Sequence, residues 1–152
     1  MRKGINKYLE YVLVVLMAIM TLDVLWGVFT RYVMDAQASW SEELARFLLI
    51  WIGILGAAYA AGKNMHLAID LYPSSLPPPK RRRLYMLINS MIILFALTVL
   101  VIGGSRLVYV TSTLGQVSAA LQLPLSVVYT VLPLSGLLVI YFKISDILGY
   151  SD

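Results

Sequence analysis

The sequence contains no cysteine and a single histidine, His66, in 152 residues. The first absence excludes thiol redox chemistry, thiolate metal sites and disulfides. The second leaves no pair of imidazoles for a buried haem, and neither a nucleophile nor a metal cluster accompanies His66 and Asp70. Charge is scarce as well, at 13% of residues against about 25% in a soluble domain. There is no glycine-rich phosphate loop, no internal repeat and no room for a soluble domain between the apolar runs. No catalytic centre, cofactor, metal site or nucleic-acid partner is therefore expected.

What fills the space is apolar. Hydrophobic residues make up 60% of the chain and the mean hydropathy is +0.82, beyond the roughly 45–50% apolar content of a soluble domain. A core of this size cannot bury that excess, so most of it must face lipid. Twenty residues lie between Glu10 and Arg31, interrupted only by Asp23, and sixteen uncharged ones lie between Arg46 and Lys63. Twenty-two lie between Arg83 and Arg106, and thirty-six between Arg106 and Lys143. Since about 20 apolar residues span a bilayer, the first three runs each predict one helix. The fourth run holds the polar stretch "TSTLGQVSAALQLP" (111–124), which predicts a loop followed by one more helix. The expectation is an all-α integral membrane protein, one domain of four transmembrane helices over 8–33, 40–62, 80–110 and 124–146.

Basic residues predict the topology. Arg2, Lys3, Lys7, Lys63, Lys80, Arg81, Arg82, Arg83 and Lys143 fall on one side, and Arg31, Arg46 and Arg106 near the other. The positive-inside rule then places both termini in the cytoplasm. Lys80, Arg81, Arg82 and Arg83 serve as the topology anchor, with an anionic-lipid site as the alternative. The first apolar run exceeds the usual length of a signal-peptide core and contains Asp23, so a retained membrane helix is expected despite "AQA" at 36–38.

Asp23 is expected near mid-bilayer, where a lone carboxylate costs about 2.5–3.5 kcal/mol. A carboxyl packed against a neighbouring helix, with Asn89 as one conceivable partner, is preferred to an ion-coupling acid. Gly27 and Thr30 follow on its face. The stretch "SWSEELARFLLIWIGILGAAYAAGKNMHLAID" (39–70) opens with charges. Ser39 and Glu42 have capping-box spacing, Glu42 and Glu43 sit at the positive end of the helix dipole, and Arg46 is placed to pair with either acid. A capped helix accounts for these charges. A sharper expectation adds a periplasmic docking surface made of Arg31, Asp35, Glu42, Glu43 and Arg106. Further on, Gly53, Ala57 and Ala61, with Gly56 and Ala60 beside them, recur at the spacing that lets helix backbones approach. Together with Asp23, Gly27, Thr30 and Arg46 they form the expected subunit-packing face. Pro73 and Pro77–Pro79 break the chain before the third helix, and Pro133 is expected to bend the fourth.

The 39–70 stretch resembles the signature region of the small membrane subunit, DctQ type, of tripartite ATP-independent periplasmic (TRAP) transporters. Trp40, Glu42, Glu43 and Arg46, then "LGAAYAAGKNMHLAID", carry the likeness, and "TRYV" at the end of the first helix fits it. The resemblance covers the whole chain. It implies a supporting subunit of the bacterial inner membrane, paired with a large permease subunit that holds the substrate and sodium sites. A periplasmic substrate-binding protein would deliver an organic acid, such as a C4-dicarboxylate or sialic acid, for sodium-driven uptake, with membrane lipids around the complex. The alternatives are a self-contained homo-oligomeric transporter or channel using Asp23, and a membrane enzyme or redox subunit, which the missing cysteine and lone histidine disfavour.

Overall fold

The computed structural model describes residues 2–36, 38–63 and 78–149. His66, Asp70, Pro73 and Pro77 lie outside the described residues. Within them, α1 runs Arg2–Val33 and α2 Ser39–Gly62. The third rod is built of α3 (Pro78–Phe95), a π-helical stretch (Ala96–Gly103) and α4 (Gly104–Thr113). The fourth rod is a short α5 (Leu125–Tyr129) followed by α6 (Val131–Gly149). Among the described residues, four helical stretches are long and apolar enough to cross a membrane: Gly4–Val33, Ser39–Gly62, Arg83–Thr113 and Leu125–Leu148. Helix is what such segments must form in lipid, where every backbone N–H and C=O needs an internal partner.

The rods do not pack in chain order. α1 lies chiefly on α2, α2 on α6, and α6 on α3 and the π stretch. The core follows that order: Leu9, Leu55, Val131 and Phe142 bury one cluster, and Ala58, Ala61, Ala96 and Val139 a second. Most other apolar side chains point outward, as lipid-facing ones should.

Three places differ from the expectations in an instructive way. α1 has 32 residues, about 48 Å at about 1.5 Å per residue, well beyond a hydrocarbon core of about 30 Å. The extra length lies at the N-terminal end, and Asp23 packs against the start of α2. There its backbone carbonyl accepts the Ser41 hydroxyl at 3.0 Å. The fourth rod is interrupted at Thr130, between α5 and α6. Pro133 follows three residues on, and it has no N–H to donate to the Tyr129 carbonyl as an unbroken helix would require. Third, the 96–103 stretch is π-helical, a widened coil that needs room opposite it. Gly136 provides it: a Cβ there would lie 2.8 Å from Leu100 Cβ and 3.2 Å from the Val101 backbone nitrogen. Gly104 does the same one turn on, facing Leu132 and Pro133.

Candidate subunit-interface and outer-end site

The α1–α2 turn and the 114–124 loop share one end of the molecule, and a single side chain joins them. Glu43, in the second turn of α2, accepts the backbone N–H groups of Ala119, Ala120 and Leu121 at 3.0, 2.9 and 2.8 Å. The loop is shaped for this contact. Ser118 N–H donates to the Leu123 carbonyl at 2.9 Å, and the Ser118 hydroxyl accepts the Leu123 N–H at 3.1 Å. Gly115 and Gln122 turn the chain with φ of 58° and 55°, a region that costs glycine nothing and other residues more. Three donors converge on one carboxylate, the strong charge-assisted kind of hydrogen bond.

This corrects two expectations. The helix begins at Ser39 with Ala38 as its N-cap and no side-chain cap bond, so the Ser39–Glu42 capping box does not form. Ser39 is already inside the first turn, one residue too late to cap. Nor does Arg46 pair with Glu43, whose carboxylate is turned onto the loop; Arg46 is exposed and makes no ion pair among the described residues. Of the five docking candidates, Arg31, Asp35, Glu42 and Arg106 are exposed at this end, whereas Glu43 is half-buried and structurally engaged.

The expected packing face separates into two. Asp23, Gly27 and Thr30 turn inward onto the start of α2. Asp23 is 7% exposed, and both its carboxylate oxygens lack a hydrogen-bond partner, so Asn89 does not reach it. Gly27 admits Ser41, whose Oγ would stand 3.0 Å from a Cβ at 27. The Thr30 hydroxyl folds back to the Gly27 carbonyl. Ala61 is buried in the core against Ala96. Gly53 and Ala57 remain exposed with Arg46 on the outer surface of α2, Gly56 and Ala60 are half-buried, and nothing lies within 4 Å of a Cβ built at Gly53 or Gly56.

The opposite end carries the basic residues. Lys80 and Arg83 are exposed in the first turns of α3, the same helical segment that contains Arg81 and Arg82. Lys63 is 3.9 Å from Glu10, whose carboxylate also accepts the Tyr59 hydroxyl. Lys143 is not a surface cation. It is buried and donates to Asp146 at 3.2 Å, so its charge is matched within α6. This pair was not anticipated, although the i, i+3 spacing of Lys143 and Asp146 was a visible signal. A bond from Trp51 Nε1 to the Val128 carbonyl, at 3.0 Å, was equally unanticipated. It satisfies an acceptor left by the break at Thr130. Among the described residues, no group of histidine, aspartate and glutamate could hold a metal ion.

Four long apolar helices among the described residues mark a membrane component, and its relatives say of what. The family described as "Tripartite ATP-independent periplasmic transporters, DctQ component" matches residues 20–150. The chain belongs to this family. A DctQ chain is a transporter component rather than an enzyme, and the four candidate spans agree with a multi-pass membrane protein. A Haemophilus influenzae relative named as a TRAP transporter small permease protein is 30% identical over 135 residues, covering 89% of this chain and 82% of that protein. The sialic acid TRAP transporter small permease protein SiaQ of Vibrio cholerae is 30% identical over 103 residues, 68% of this chain and 60% of its own length. The isethionate TRAP transporter permease protein DctMQ of Oleidesulfovibrio alaskensis is 32% identical over 114 residues, which are 75% of this chain but 18% of that protein. The DctQ match takes in the Glu43 contact, the 114–124 loop and the exposed face of α2.

Proposed function

We propose that this DctQ chain is the small permease subunit of a TRAP transporter of the bacterial inner membrane, holding a large permease subunit during sodium-driven uptake of an organic acid. The observation that carries this is the DctMQ relative, in which a DctQ-like stretch forms 18% of a longer permease protein. A chain that occurs fused to a permease in one organism is expected to bind a separate permease in another. The match to the sialic acid TRAP transporter permease protein SiaT of Haemophilus influenzae, 34% identical over 55 residues, supports the same pairing.

The large subunit would seat on the exposed surface of α2, where Gly53 and Ala57 present almost no side chain to an approaching helix. Arg46 stands on the same helix nearer its start and suits an acidic group on the partner. Both termini lie in the cytoplasm, with the basic first turns of α3, and the Glu43-pinned loop faces the periplasm. There Asp35 and Arg106 would meet the substrate-binding protein as a polar rim, which acts mainly on encounter rate. Asp23 has a structural place against Ser41 rather than a transport role. Reconstitution tests the reading: vesicles with both permease subunits, given binding protein and a sodium gradient, should accumulate a C4-dicarboxylate or sialic acid. Vesicles lacking this chain should not.

A further inference from the structure

On the flank of the α1–α2 pair two hollows meet at Val24. The one deeper in the span is about 410 Å³ and almost wholly apolar, bounded by Met17, Met20, Leu25, Leu49 and Ile52. The other, about 280 Å³, opens at the α1–α2 turn and is bounded by Arg31, Tyr32, Ser41 and Glu42. The apolar hollow follows α1 from residue 17 to 25, about 12 Å of helix. Its wall of methionine, valine, leucine and isoleucine side chains is a surface on which an acyl chain packs.

The head of the groove carries both charges. Arg31 is exposed and makes no ion pair among the described residues, so its planar fork is available to a phosphate. Glu42, across the hollow on α2, is exposed, and a carboxylate has acceptor capacity for more than one donor. Tyr32, 76% exposed, adds a hydroxyl at the rim. A cation on α1 and an anion on α2, above an apolar groove, complement a headgroup that carries a phosphate and an ammonium together.

We propose that the α1–α2 flank is a binding site for an amine-bearing zwitterionic phospholipid of the phosphatidylethanolamine class. Its phosphate lies at Arg31, its ammonium at Glu42 and one acyl chain between Met20, Leu25 and Leu49. That the lipid comes from the periplasmic leaflet rests on the orientation given under the proposed function; the site itself does not.

The test is native mass spectrometry of the full chain co-expressed with its large permease, delipidated in mild detergent. The complex is then titrated with phosphatidylethanolamine or phosphatidylglycerol of equal acyl length. The wild type should hold phosphatidylethanolamine about tenfold more tightly. Glu42→Gln should bring the two lipids level, Arg31→Gln should weaken both, and both variants replace exposed side chains, so folding is not at stake. Val24→Trp, which fills the junction of the hollows, should remove the adduct with both charges intact. Equal affinity for the two lipids in the wild type would overturn the proposal. So would an adduct indifferent to Arg31→Gln and Val24→Trp, or a Val24→Trp variant that keeps the lipid and loses the large subunit. Absence of the large subunit from the wild-type preparation would count against the proposed function alone, because the lipid titration still reads on this chain.

Discussion

Glu43 and Leu121 lie 78 residues apart in sequence and 2.8 Å apart in space, carboxylate oxygen to backbone nitrogen. With Ala119 and Ala120 bound to the same carboxylate, α2 is tied to the connection between the third and fourth rods. The outer end of the protein is thus one piece, and its most acidic stretch acts partly as internal structure. Charge reversal at Glu43 would disturb the loop before it disturbed any docking.

Glu43→Gln should therefore loosen the loop. The amide keeps one acceptor oxygen and points a donor at donors, so the three loop amides lose part of their anchor. Hydrogen exchange should rise at the amides of Ala119, Ala120 and Leu121 and stay unchanged in α6. Unaltered protection at those three amides would mean that the carboxylate does not hold them.

Gly136→Ala should damage the packing of α6 on the π stretch. The added methyl would meet Leu100 Cβ at 2.8 Å and backbone at 3.2 Å, and overpacking of this kind costs about 1–3 kcal/mol. Gly53→Ala, with nothing within 4 Å, is the matched control and should leave the thermal transition of the isolated chain in place. Equal transitions for the two variants would contradict the close approach at Gly136.

Asp23→Asn should preserve uptake. The carboxylate is buried with neither oxygen hydrogen-bonded, while the contact with Ser41 runs through the backbone carbonyl, which the substitution leaves alone. Sodium-driven accumulation in reconstituted vesicles should stay near wild type. A complex that assembles normally and transports nothing would make Asp23 an ion-coupling acid.

How much of this was legible in the sequence depends on the range of the interaction. The four spans follow from runs of apolar residues and the charges between them, information local to each run. Their ends shifted where local signals compete: Ser39 has the chemistry of a cap, but Ala38 occupies that position. The contacts that shape the site are long-range. Glu43 with Leu121, and Trp51 with Val128, depend on α2 packing against the fourth rod, which no spacing in either segment encodes. The stripe along α2 was legible as a stripe. That Ala61 turns to the core while Gly53 and Ala57 stay open became visible only once α6 was placed beside α2.

Orientation has its own test. Reporter fusions at Asp35, in the α1–α2 turn, and at Pro78, where α3 begins, should give opposite locations, the first periplasmic and the second cytoplasmic. Fusions reporting the same side would break the alternation of the first two spans.

The central claim, that this chain supports a large permease through the open face of α2, is tested most directly by capture. The chain is tagged, co-expressed with the large permease and purified in mild detergent, with wild type and Gly53→Leu compared side by side. The wild type should retain the large subunit in stoichiometric amount. Gly53→Leu should itself remain folded, because the position faces open space, yet lose most of its capture, on the order of tenfold or more, when the small-residue approach is blocked. Failure of the wild-type chain to capture any large permease would contradict the account, and a Gly53→Leu variant that captures as well as wild type would move the interface off this face.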